Sequence, residues 1–194
     1  MANTDVMIDL ETLATTPDAA ILSIGAVRFD PFGKDLKEPK MESFYLRIDV
    51  DSCDALGLVT SQDTLNWWAQ QSKEAQEEAF GLENRVPITD AMNQLYKFCW
   101  GAQRVWSHGA GFDVIILEHV FRKIGKGFPW SFWQVRDTRT IFDIGINPDR
   151  PDVLAHHALH DAYNQAIGVQ NVYRTLQTST TSAGNYIAPF AKMK

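Results

Sequence analysis

Three apolar runs follow one another through short connections in the first 50 residues, and this most constrains what the chain can become. Residues 5–10 are apolar and end in acids, residues 20–29 run into the turn sequence Asp-Pro-Phe-Gly, and residues 44–50 alternate. Short connections predict a three-stranded antiparallel meander. Beyond residue 60 the period changes. Leu65, Trp68, Ala69, Ser72 and Ala75 recur at helical spacing within 62–80, with Ser61 or Asp63 placed to cap the start. Thr89, just after Pro87, is placed to cap a helix running to about Trp100. A short strand is expected over 104–107 and a helix over 112–124. A strand over 132–137 then leads into a short helix over 138–144, and a final helix covers 160–176. Strands first, then strands alternating with helices, predict an α/β fold, a mixed sheet covered by helices. No internal repeat interrupts it.

At 194 residues and 45% hydrophobic content, the chain suits one domain with a substantial core and argues against disorder. No run of about 18 apolar residues is free of charge, so no membrane span is expected. The first residues lack the basic region and apolar run of a secretory signal. Two cysteines, Cys53 and Cys99, make neither a disulfide framework nor a four-ligand zinc site unaided. Together these features predict a reduced, cytoplasmic protein. Ser, Thr and Gly concentrate over 175–185, so the globular domain is expected over 1–176 and a tail over 177–194. The tail carries Tyr186, Ile187 and Phe190 but reads as disordered. With a net charge of -6 and a pI near 5.3, no global basic field collects nucleic acid. Such a ligand would need a local basic patch or bound metal cations.

Acids stand at the ends of several predicted elements. Asp9 and Glu11 close the strand Val-Met-Ile-Asp-Leu-Glu-Thr, two residues apart and therefore on one face. A solvated strand end or a helix cap accounts for the pair alone, although Met7-Ile8 points to a buried strand, where two carboxylates repel unless a cation lies between them. Asp113 follows a glycine-rich turn and opens a helix, where the dipole favours an acid. Asp161 enters the last helix just after His156, His157 and His160. Three histidines without cysteines also leave a zinc-histidine site open.

The order and spacing Asp9-x-Glu11, Phe112-Asp113, His156-x-Ala158-x-x-Asp161 are far more specific than the pieces. Over about residues 4–176 the sequence resembles the DEDDh family of 3′-5′ exonucleases. It is most similar to the phage-type exonuclease A branch and the related small bacterial exoribonucleases. Thr12, Pro17 and the run Ala20 to Val27 extend the first signature, and Trp67-Trp68 resembles the phage-type branch. One departure is Gly109, in His-Gly-Ala-Gly-Phe-Asp, where many relatives carry asparagine.

The resemblance implies a ribonuclease-H-like α/β fold. It also implies a metal-dependent exonuclease that acts on single-stranded DNA or RNA 3′ ends and releases nucleoside 5′-monophosphates, with DNA or dual specificity. An RNA-specific enzyme is the alternative, and a non-catalytic nucleic-acid-binding module a more distant one. It assigns Asp9, Glu11, Asp113 and Asp161 to two Mg²⁺ ions, with Mn²⁺ able to substitute. His156 takes the proton from the attacking water, work suited to a neutral imidazole. Backbone groups at Thr12 hold the terminal 3′ hydroxyl, and Leu13 and Phe112 border the nucleotide. Of the adjacent tryptophans, which point about 100° apart on a helix, Trp68 is the candidate base contact. Asp137 supports the site as a helix cap, outside the metal set. Members of the family often dimerise, so a homodimer is a further expectation, and no membrane partner is expected.

Overall fold

The computed structural model describes residues 3–33, 42–143 and 156–176. Six strands form one mixed sheet in the order β4-β3-β2-β1-β5-β6. β1 (Asp5–Thr12), β2 (Ile21–Phe29) and β3 (Ser43–Ile48) form the expected antiparallel meander. β4 (Arg85–Val86) adds in parallel to β3, and β5 (Arg104–Ser107) and β6 (Val135–Asp137) add in parallel beyond β1. This is the α/β arrangement, a mixed sheet covered by helices, that the sequence predicts.

β1 is central and buried on both faces, which explains its nearly continuous apolar run. Val6, Ile8 and Leu10 enter the larger core, shared with α4 (Ile88–Cys99) and α5 (Asp113–Lys123). Met7, on the opposite face, joins a smaller core under α7 (Ala158–Thr175). Ala162, Ala166 and Val169 line the inner side of α7 at helical spacing and let it lie close to the sheet. The approach is tightest at Gly25, where a Cβ would meet the backbone of Ala158 and Leu159 at 2.2 Å. Gly25 pairs with Asp9 across the ladder, so the start of α7 crosses the sheet beside that acid.

Several expected boundaries shift. The third strand ends at Ile48, because Asp49 caps a short helix α1 (Val50–Ala55). The helix expected over 62–80 is two helices, α2 (Gln62–Trp68) and α3 (Lys73–Phe80). Ser72 is the N-cap of α3, its hydroxyl accepting from the Ala75 N–H at 3.1 Å, so a residue assigned to a helix face instead ends one helix and starts another. Pro87, rather than Thr89, stands at the start of α4. The strand expected from 132 begins at Val135, after a 3-10 turn at Phe132–Gln134 closed by a capping box from Ser131. α6 (Thr138–Phe142) follows it. Cys53 and Cys99 are free and buried, and among the described residues no helix is long and apolar enough to cross a membrane. The boundary at 176/177 and the tail expected over 177–194 lie outside the described residues.

Candidate active site

The sheet order brings distant acids together. Asp9 and Glu11 share the α7 face at the C-terminal end of β1, and α7 carries Asp161 in its first turn above them. One carboxylate oxygen from each of Asp9, Glu11 and Asp161 lies within 4.8 Å of the others. β5 runs parallel beside β1, so the turn leaving β5 delivers Asp113 to the same end of the sheet. Asp113 is buried, and its Oδ1 accepts from the Leu10 N–H at 3.1 Å. Asp113 and Asp161 both open helices, where the dipole favours negative charge.

Electrostatics oppose full ionisation of this group. Burial lifts the Asp9 carboxyl well above its ordinary range, and Asp113, Glu11 and Asp161 lift it further. Burial, then Asp161 and Asp113, push Glu11 up to about 8. Burial raises Asp113 to about 7, although the Leu10 N–H and the Arg139 guanidinium pull the other way. Asp161 is raised by burial and lowered by the neighbouring His156. Gln165, one turn after Asp161, donates from Nε2 to Asp9 Oδ1 at 2.7 Å. Sequence reasoning passed over Gln165, whose only signal is its i+4 spacing from Asp161.

The three histidines separate. His156 precedes α7 with φ +62, and its ring stands edge-on to Trp67 at 4.8 Å between centroids. His157 is enclosed between Tyr45 at 4.6 Å and His160 at 4.0 Å, with Nε2 3.9 Å from the Glu78 carboxylate. Among the described residues, the group close enough to share one ion is acidic and contains no histidine.

A cavity of about 430 Å³ opens beside Glu11. Thr12, Trp67, Trp68 and Phe112 line it, and Ser61, Asp63 and Thr64 supply polar groups from the start of α2. Leu13 and Trp68 both lie deep. Leu13 is 4% exposed, packs in the larger core and does not line the cavity, because its N–H donates to Ala20 O at 2.8 Å and turns the chain inward. Trp68 is 1% exposed and forms the cavity wall, its indole N–H donating to Thr12 O at 3.0 Å. Trp67, at 42% exposed, is the more exposed of the two and also lines the cavity. Phe112 is half-buried on the cavity wall, and Thr12 adjoins it with its own hydroxyl turned to Ala14 O.

The glycine-rich turn has a brace. The Asp137 carboxylate accepts from the N–H groups of Gly109 at 3.2 Å, Ala110 at 2.9 Å and Arg139 at 2.9 Å. Thr138 Oγ1 lies 2.9 Å from His108 Nδ1. Asp137 is therefore a helix cap, as expected, and also the tie that holds the loop leading to Asp113.

Residues 4–173 match the model of the 3′-5′ exoribonuclease Rv2179c-like domain. The chain is 26% identical over 159 residues to an exodeoxyribonuclease of Enterobacteria phage T4, covering 70% of this chain and 69% of that protein. It also aligns with a solved structure of exonuclease X in complex with 5′ overhanging duplex DNA. That alignment has 20% identity and a TM-score of 0.46, over 88% of this chain and 92% of the other.

Proposed function

The chain belongs to the 3′-5′ exoribonuclease Rv2179c-like family and is a 3′-5′ exonuclease, and from that premise we propose a metal-dependent hydrolase of single-stranded 3′ ends that releases nucleoside 5′-monophosphates. The observation that carries this reading is the gathering of Asp9, Glu11 and Asp161 oxygens within 4.8 Å. Carboxylates this close and this dehydrated hold protons at neutral pH unless cations replace them, as Glu11 at about 8 illustrates. A set of hard oxygen donors fits Mg²⁺, and Mn²⁺ in its place.

On this reading Asp9, Glu11 and Asp161 would hold one ion, and Asp9 with Asp113 would hold a second. When bound, the ions neutralise the phosphate, ease ionisation of the attacking water and stabilise the leaving 3′ oxygen. The remaining work belongs to the chain. His156 takes the proton from water, and its place against Trp67 puts it beside the cavity. His157 and His160 stack on each other, with His157 turned to Tyr45 and Glu78. Gln165 fixes the orientation of Asp9. Trp67 stacks on the terminal base and tolerates any sequence, as removal of successive nucleotides requires. Phe112 flanks the nucleotide and the Thr12 backbone meets the terminal hydroxyl. A cavity of about 430 Å³ suits one unpaired nucleotide, which favours a single-stranded end.

We take the enzyme to accept both DNA and RNA. The family's description as an exoribonuclease favours an RNA-specific second reading, and the phage relative is described as an exodeoxyribonuclease. A cytoplasmic location, drawn from cysteine usage, and a homodimer, drawn from the resemblance, are further proposals. The test is hydrolysis of matched DNA and RNA single strands, each labelled at the 5′ end. Stepwise shortening of both strands with mononucleotide release is expected. Shortening of RNA alone selects the second reading, and internal cleavage of a closed circular strand refutes an exonuclease confined to 3′ ends.

A further inference from the structure

We infer that Arg139 grips the nucleic-acid backbone, binding a phosphodiester upstream of the scissile one. The inference rests on the exonuclease reading and adds to it a residue that the acids and His156 do not supply. Gly109 has φ +113, and a Cβ there would lie 3.1 Å from Arg139 Nη1 and 3.2 Å from its Cζ. The guanidinium thus rests against the glycine, in space that any side chain at 109 would claim.

The position is fixed from both sides. Asp137 ties the Gly109 and Ala110 N–H groups to the start of α6, and the same carboxylate accepts from the Arg139 N–H. The loop that leads to Asp113 and the turn that bears Arg139 therefore form one braced unit. Arg139 is exposed, and among the described residues its guanidinium makes no hydrogen bond or ion pair.

A chain of net charge -6 with four acids in its cleft repels a polyanion, so a cation resting on the loop that leads to Asp113 has a clear use. A planar guanidinium with free donors matches phosphate oxygens in pairs. Placement selects which phosphate. The cavity for the terminal nucleotide lies at the end of β1, toward Trp67, whereas Arg139 follows β6, two strands away on the opposite side. A strand whose 3′ end fills the cavity and whose scissile phosphate meets the acids passes Arg139 with its next linkages.

The test combines Arg139→Met with substrates carrying one neutral methylphosphonate at successive upstream linkages. Arg139→Met is expected to raise KM about tenfold and lower kcat less than about threefold, with Tm unchanged. It should flatten the dependence of log KM on log salt by about 0.7, one phosphate contact on a single strand. Arg139→Lys should recover part of the loss. One methylphosphonate position should weaken the wild type about tenfold and leave Arg139→Met unaffected. A wild-type KM in Arg139→Met, a loss in kcat alone, or additive effects at every linkage overturns the inference while the exonuclease reading stands. A wild type that degrades neither DNA nor RNA removes the exonuclease reading itself, and this inference with it.

Discussion

Glu11 is buried at the end of β1 beside Asp161 and Asp113, and it keeps its proton to about pH 8. Its ordinary value is 4.5, so between about pH 4.5 and 8 the folded protein holds a proton that the unfolded chain has released. Stability of the metal-free protein therefore falls as pH rises through that window, and Asp113, raised to about 7, adds in the same direction. Thermal unfolding in chelator should show a lower Tm at pH 8 than at pH 5, with Mg²⁺ or Mn²⁺ raising Tm more at pH 8. Glu11→Gln removes a buried charge without changing shape, so it should raise the metal-free Tm at pH 8 and abolish hydrolysis. A lower Tm in that variant would contradict the electrostatic account. Asp9→Ala and Asp161→Ala should each lower the single-turnover rate by about 10³-fold or more while the protein stays folded. His156→Ala should lower it by about 10² to 10⁴-fold, with smaller effects for His157→Ala and His160→Ala. The meeting of Asp9, Glu11 and Asp161 was legible through the resemblance, whose signature ties acids far apart in sequence to one place. The burial of Leu13 and Trp68 was not legible, because it depends on how the chain turns after β1 and on which face of α2 meets the core. Neighbours in sequence carry no signal for either.

At the scale of elements, the contact between β2 and α7 links stability to the site. Gly25 admits the backbone of Ala158 and Leu159, three residues before Asp161 in the case of Ala158. Gly25→Val should cost on the order of 1–3 kcal/mol of stability, at the upper end because the obstacle is backbone. It should also lower the hydrolysis rate of the folded fraction, since α7 can no longer bring Asp161 down to Asp9 and Glu11. Denaturant unfolding together with rates corrected for folded protein checks both. Ser72→Ala removes the α3 cap and should cost about 1 kcal/mol with little effect on rate. The contrast between these variants separates an element that builds the site from one that only supports the fold. The strands of the meander, β5, α5 and α7 were legible from periodicity within a few residues. The break between α2 and α3 was not, because Ser72 fits a helical repeat as well as it fits a cap. Two-residue β4 depends on β3, far away in sequence, where periodicity has nothing to report, whereas the capping box at Ser131 is local, closed by Gln134 three residues on.

On the scale of the whole molecule, an acidic protein must draw a polyanion to its most acidic point. The charge of -6 and the four clustered carboxylates make the metal-free cleft repulsive. Cations in the cleft, with Arg139 at its edge, would reverse that local field without changing the global one. Nucleic-acid affinity should therefore rise with divalent metal even in Asp9-intact variants that lack His156, such as His156→Ala, and fall as monovalent salt increases. Composition foretold this need for a local cation but not its source, because Arg139 reaches the cleft only through the order of β1, β5 and β6. The account turns on acids that need metal to act on a 3′ end. The most direct measurement is hydrolysis of a 5′-labelled single strand in EDTA, followed by restoration with excess Mg²⁺. No cleavage is predicted in EDTA, and a ladder shortening one nucleotide at a time from the 3′ end is predicted once Mg²⁺ is restored. Undiminished cleavage after thorough chelation, or products released from the labelled 5′ end, would contradict it.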